Sequence, residues 1–177
     1  MKADLHIGEC TGWVGRRPPL SRRAAAGFTM VELMVVVTIA AILAAIAGPN
    51  FRTFIGTMNS KSAAFDLIGD LTAARSEAIK RNQPTTVVPL VGGNWASGWQ
   101  VIASGVTVRS RPALTSALSV ATAPAAGVTF QPNGRLGAET ADGNVTWAIS
   151  SSISGVTPRC IVITPTGSAR SKASTCP

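Results

Sequence analysis

The chain is poor in the residues that carry most hydrolytic and metal chemistry. Its 177 residues include one histidine, His6, no tyrosine, and three cysteines, Cys10, Cys160 and Cys176. That inventory almost excludes a His-based triad, a histidine metal cage and a four-cysteine zinc site. No P-loop, metal or nucleophile motif occurs, so neither catalysis nor a cofactor is expected. Charge is scarce as well: Asp, Glu, Lys and Arg make up 14%, against ~25% in average soluble domains. Acids are the scarcer sign, 8 against 16 Lys+Arg, for a formal net charge of +8. With 46% hydrophobic residues the chain is too apolar for a disordered protein. A membrane segment or a sparsely charged β domain would produce this composition, and the sequence contains signs of both.

The membrane segment comes early. Met1–Gly27 holds Lys2, Arg16, Arg17, Arg22 and Arg23 against Asp4 and Glu9. Phe28–Gly48 follows, 21 residues with a single ionisable group, Glu32. At ~1.5 Å per residue a helix of this length crosses a ~30 Å hydrocarbon core. The basic flank should stay in the cytoplasm and the downstream chain should be exported. A secretory signal would show a shorter apolar core followed by an A-x-A-like cleavage site. Here the notable junction, Arg22-Arg23-Ala24-Ala25-Ala26-Gly27 and then Phe28, precedes the apolar run. A carboxylate inside such a run costs a few kcal/mol, which marks Glu32 as a functional candidate. The alternative is that Glu32 lies close enough to the interface to snorkel.

The string Gly27-Phe28-Thr29-Met30-Val31-Glu32-Leu33 resembles the processing site of type IV pilins and type II secretion pseudopilins. The resemblance implies that a prepilin peptidase cuts after Gly27 and methylates the new N-terminus at Phe28. It also implies that Glu32 is the fifth-position glutamate, which pairs with the N-terminal amine of a neighbouring subunit during assembly. A buried carboxylate and a buried ammonium are each tolerable only when paired. Processing would remove 27 residues, among them His6, Cys10 and Trp13, and leave 150. The remaining Cys160 and Cys176 would then be in the periplasm or outside the cell. An even pair there is expected to form a disulfide, contributing roughly 3 kcal/mol for so short a loop. Two free buried thiols are the alternative.

The helical pattern continues past the membrane segment. Gly48-Pro49 should bend the helix, since proline lacks a donor and clashes with the preceding turn. Phe51, Phe54, Ile55 and Met58, then Phe65, Ile68, Leu71 and Ile79, suggest an apolar stripe facing a globular domain, with Asp66, Asp70, Glu77 and Arg81 on a solvated face. Glu77 and Arg81 have the favourable acid-first spacing of four, and Pro84 stops the helix. From Thr85 the period changes to two. Thr85–Val91, Gly98–Ala103, Val106–Arg109, Gly127–Gln131, Asn144–Ile149 and Arg159–Thr164 are predicted strands, with Pro132-Asn133-Gly134 the clearest hairpin turn. Arg111–Ala126 is poorly periodic and is expected to be a flexible connection. The expected organisation is residues 1–27 as leader, 28–48 as transmembrane and assembly helix, 49–84 as its amphipathic continuation, and 85–177 as a β domain. The fold class is α+β: a long N-terminal helix packed on antiparallel sheet.

Ala74-Arg75-Ser76-Glu77-Ala78-Ile79-Lys80-Arg81, Trp95-Ala96-Ser97-Gly98-Trp99 and Val128-Thr129-Phe130-Gln131-Pro132-Asn133-Gly134-Arg135 resemble the GspH/FimT family of minor pilins and pseudopilins. The resemblance implies a non-catalytic filament subunit whose partners are other pilin or pseudopilin subunits, the prepilin peptidase and the inner membrane. One branch sits at the tip of type II secretion pseudopili. The other belongs to type IV pili, and some of its members bind DNA for uptake. A membrane-tethered periplasmic enzyme is the rival from another class.

Two features bear on DNA. Between Asn82 and Pro177 the charges are Arg109, Arg111, Arg135, Arg159, Arg170 and Lys172 against Glu139 and Asp142, a net of +4. Sparse charge of one sign on a neutral β domain can meet a phosphate backbone without reading bases; a merely solubilising surface is the alternative. In DNA-binding family members a glycine–arginine pattern with a second basic residue sits in a C-terminal loop. By that resemblance Arg170 and Lys172 in Thr166–Lys172 correspond, although Ser168 stands where a first arginine is expected. Two residues apart on an extended segment, they point the same way. Trp95, Trp99 and Trp147 could stack on bases or fill the core. Trp95, after the Gly92-Gly93-Asn94 turn, is the best stacking candidate of the three.

Overall fold

The computed structural model describes residues 27–137 and 143–176. The leader residues before Gly27, and with them His6, Cys10 and Trp13, lie outside the described residues, as do Glu139 and Asp142.

One helix, α1, spans Met30–Arg81. It begins two residues after Phe28 because Thr29 caps it: its Oγ1 accepts from the Glu32 amide at 3.1 Å, and its carbonyl accepts from Leu33 N at 3.1 Å. A threonine oxygen satisfies an amide that no helical carbonyl can reach. The helix continues through Pro49, where Asn50 Nδ2 donates to Ile46 O at 3.5 Å. It ends where Asn82 takes a left-handed φ of 52°. Gln83 N then reaches back to Ala78 O at 3.2 Å, a Schellman closure, and Pro84 follows.

Among the described residues eight strands follow: β1 Thr85–Val91, β2 Asn94–Ala103, β3 Val106–Arg111, β4 Leu118–Ala121, β5 Val128–Phe130, β6 Val145–Ser151, β7 Arg159–Ile163 and β8 Ala169–Lys172. They form two antiparallel four-stranded sheets, ordered β3-β2-β1-β5 and β4-β6-β7-β8. Two strands lie where none was expected. β4 sits inside the supposed flexible connection, and β8 is built from the tail. Both are four-residue edge strands, too short to display a period and paired on one side only.

The helix buries only part of the stripe that its large side chains suggest: Leu71 is buried and Ile68 packs against the core, but the rest of the buried face is different. Ala63, Ala64, Leu67, Leu71, Ala74 and Ala78 are buried, whereas Phe65 is 64% and Ile79 52% exposed. The reason is the bulk on the sheets. Trp95, Trp99 and Trp147 are all buried; Trp95 meets Trp147 edge-on at 5.3 Å and Trp99 at 6.4 Å. Three indoles already fill the space over the sheets, so the helix contributes mainly alanine there. Trp95, the best stacking candidate of the three, is thus a core residue whose Nε1 donates to Pro124 O at 2.9 Å. It has no face left for a base.

Asp70, expected in solvent, is fully buried. Its carboxylate accepts from Trp99 Nε1 at 3.0 Å, Arg111 Nε at 2.9 Å and Arg109 Nη1 at 3.3 Å. Arg111 also reaches Asp66 at 3.4 Å. This cluster ties the helix to the outermost strand of the first sheet. Its hydrogen bond to Asp70 holds the Arg111 guanidinium still further above its ordinary pKa, so it stays charged at any working pH.

Candidate functional site

Two regions carry the chemistry that the sequence suggests. The first is the start of α1. Phe28, Met30, Val31, Leu33, Met34, Val35, Val36 and Val37 are exposed large apolar residues, as are Ile39, Ile42, Leu43 and Ile46 further on. This length of unburied hydrocarbon is long and apolar enough to cross a membrane. Glu32 lies within it, in the first helical turn, where a carboxylate complements the helix dipole. Gly27 and Phe28 precede the helix outside any regular element, and both are exposed.

The exposed apolar surface continues beyond Gly48. Phe51, Phe54, Ile55, Met58 and Phe65 recur at helical spacing on one face, and all are exposed. Such a stripe on a helix that already packs its other face is the pattern of a contact with another helix.

The second region is the outer edge of the second sheet. In β8 the side chains alternate, with Ala169 and Ser171 half-buried and Arg170 and Lys172 exposed. The register pairs Lys172 with Cys160 and Arg170 with Val162, so both cations stand on the sheet face opposite Ile161 and Ile163. Neither has a hydrogen bond or ion pair among the described residues. Cys176 returns to Cys160 through a disulfide, with Cα atoms 5.0 Å apart. The bridge anchors the chain end beside Lys172 and so restrains an otherwise free edge strand.

Arg135 joins this edge from another element. It is exposed in the turn after β5, where its amide donates to Asn133 Oδ1 at 3.0 Å. That turn is docked on the β7–β8 turn: Leu136 N donates to Pro165 O at 3.0 Å, and Arg75 Nε of the helix donates to Gly134 O at 2.9 Å. Gly167, at φ +79°, packs against the Gly134 carbonyl so closely that a side chain there would strike it. Arg159 does not join them. It begins β7, ~13 Å from Ile163 along the strand, and alternation puts it on the Ile161 face. Arg109 and Arg111 lie on the first sheet instead, where both pair with Asp70. Sequence reasoning missed this pairing because it counted charges without knowing that one acid was buried among them. The exposed cations that remain at this end of the molecule are Arg170 and Lys172 on β8 and Arg135 on the turn docked against the β7–β8 turn.

The family description "Type II transport protein GspH" matches residues 63–167, and a prokaryotic N-terminal methylation motif matches residues 22–48. Fimbrial protein EcpC of Eikenella corrodens is 30% identical over 135 residues, covering 71% of this chain and 82% of that protein. Fimbrial protein Q of Moraxella bovis is 44% identical over 50 residues, 28% of this chain and 29% of its own. The crystal structure of the type IV minor pilin FimU of Pseudomonas aeruginosa superposes with a TM-score of 0.54 at 27% identity, over 66% of this chain and 96% of that one. A second crystal form of FimU gives 0.55 at 26% identity, over 66% and 91%. With its methylation motif, its long helix and its two antiparallel sheets, the chain belongs to the GspH family of minor type IV pilins and pseudopilins.

Proposed function

We propose that the chain is a minor subunit of a type IV pilus, structural and non-catalytic, and that its β8 edge binds DNA. A prepilin peptidase removes residues 1–27 and methylates Phe28. Residues 28–48 hold the subunit in the inner membrane until assembly, with the β domain in the periplasm. Glu32 then pairs with the N-terminal amine of a neighbouring subunit, which relieves two charges that hydrocarbon would otherwise penalise. The stripe from Phe51 to Phe65 meets the helices of adjacent subunits. The likeness to FimU, which covers 96% of the crystallised FimU chain, supports the pilus. The family description favours a type II secretion pseudopilin instead, and the genes beside this one discriminate the two.

The observation that carries the DNA proposal is the pair of exposed, unpartnered cations on β8 next to the Arg135 turn. No Asp or Glu occurs from Gly143 to Pro177 to repel a phosphate. Two or three phosphate contacts without base contacts give weak binding that ignores sequence. Titration of the chain from Thr53 onward with duplex DNA tests this. The log–log salt slope should be roughly −2 to −3. Arg170→Ala with Lys172→Ala should take about 2 from that slope and leave the fold intact. No binding at low salt, or binding that the double substitution leaves unchanged, would leave the structural role alone.

A further inference from the structure

The cavity where α1 emerges from its apolar run is not explained by assembly or by DNA. It measures about 580 Å³ and is lined by Gly48, Arg52, Thr53, Ser152, Ile153 and Ser154. The loop between β6 and β7 forms its far wall and is seated firmly on the helix. Thr53 Oγ1 donates to Ser154 O at 3.3 Å. Gly56 is buried under Val156 and Ile153, where a Cβ would come within 2.8 Å of Val156 Cγ2. The absence of a side chain at Gly56 thus lets the loop sit against this turn.

Arg52 is the first ionisable residue after Glu32. It is exposed and has no hydrogen bond or ion pair among the described residues. It stands four positions after Gly48, ~6 Å along the helix, which corresponds to the headgroup layer just outside a ~30 Å hydrocarbon core. The cavity combines this guanidinium with the exposed Ser152 and Ser154, while Ile153 supplies an apolar wall. Its lining has no carboxylate, so nothing in it would neutralise the ammonium of a zwitterionic lipid. A phosphodiester accepts from guanidinium and hydroxyl donors, and an anionic headgroup brings no cation that needs a partner.

We propose that this cavity binds the headgroup of an anionic phospholipid in the outer leaflet of the inner membrane before assembly. Arg52 contacts the phosphate, and the two serines bond the remaining headgroup oxygens. The contact fixes how deeply the subunit sits while it waits to be extracted. This rests on the reading that residues 28–48 span the membrane.

The test uses the full chain in lipid nanodiscs holding equal phosphatidylglycerol and phosphatidylcholine, with retained lipids counted by native mass spectrometry. Wild type should retain phosphatidylglycerol preferentially. Arg52→Gln should lose one such lipid, and Arg52→Lys should keep part of the preference. The leader's basic residues are common to all variants, so the difference isolates Arg52. Displacement of the lipid by added inorganic phosphate would show a free-anion site and overturn the lipid assignment. Equal retention of both lipids by wild type, or a preference untouched by Arg52→Gln, would overturn the site. An unchanged thermal midpoint shows that Arg52→Gln still folds. Release of the chain from vesicles by alkaline carbonate would instead remove the membrane-span reading, an outcome separate from lipid selectivity.

Discussion

Replacing Asp70 with alanine should cost about 1–5 kcal/mol, and the sum follows from who its carboxylate serves. The Trp99 indole N–H donates to it from a buried position at 3.0 Å. Without an acceptor that donor costs ~1–3 kcal/mol. Arg111 and Arg109 have side chains 40% and 55% exposed. Both can turn to water, so their ion pairs add only ~0–1 kcal/mol each. Asp70→Asn keeps an acceptor for Trp99 and should cost roughly half as much as alanine. The assay is urea unfolding of the chain from Thr53 onward with the disulfide intact. The midpoint should fall while the m-value holds, because the surface exposed on unfolding is unchanged. Added salt should leave most of the difference in place, since the largest contribution comes from a neutral, buried donor. DNA affinity should not decline, because Arg109 and Arg111 are assigned to the fold rather than to the phosphate surface. A loss below ~0.5 kcal/mol, which is ordinary for a surface substitution, would refute this reasoning. So would an asparagine variant as damaged as the alanine variant.

The remaining predictions concern assembly, the bridge and a helix pair. Glu32→Ala should insert in the membrane normally yet be depleted from sheared filaments, as measured by immunoblot of both fractions; normal abundance in the filaments would remove its assembly role. Thiol labelling of the unfolded, unreduced mature domain should find neither Cys160 nor Cys176 free, and reduction should lower stability by roughly 3 kcal/mol; two labelled thiols would contradict the bridge. The Arg81 guanidinium, 2.6 Å from Glu77, holds that carboxyl below its ordinary 4.5. Its stabilising effect is therefore present above that pKa and lost as pH falls through the lowered value. Arg81→Ala should bring the Glu77 titration, followed by NMR, back up toward 4.5, and an unmoved titration would contradict the pairing.

Much of the fold was legible because its signals are long or local. The apolar run announced its helix by length, Pro84 its end, and six of the eight strands by composition. What escaped depended on partners far away in the chain. The helix's buried face could not be read from size, since alanines were selected there by tryptophans from β2 and β6. Asp70 looked like a solvated acid until β3 delivered Arg109 and Arg111 to it. β4 and β8 are edges whose existence depends on the strand beside them. At the basic surface the spacing of Arg170 and Lys172 correctly implied a shared side. The distribution of the other cations required the register, which sends Arg159 to the opposite face and brings Arg135 in through a turn-to-turn contact. The N-terminal methylation motif was the most legible feature, because glycine, phenylalanine, glutamate and apolar run stand in fixed order along one segment.

On the proposed function, this chain becomes a filament subunit through cleavage at Gly27–Phe28. Intact-mass analysis of the protein recovered from sheared, purified pili tests it most directly. The recovered chain should begin at Phe28 and carry one N-terminal methyl group and one disulfide. A chain that still begins at Met1, or one found only in the membrane and never in the filaments, would contradict it.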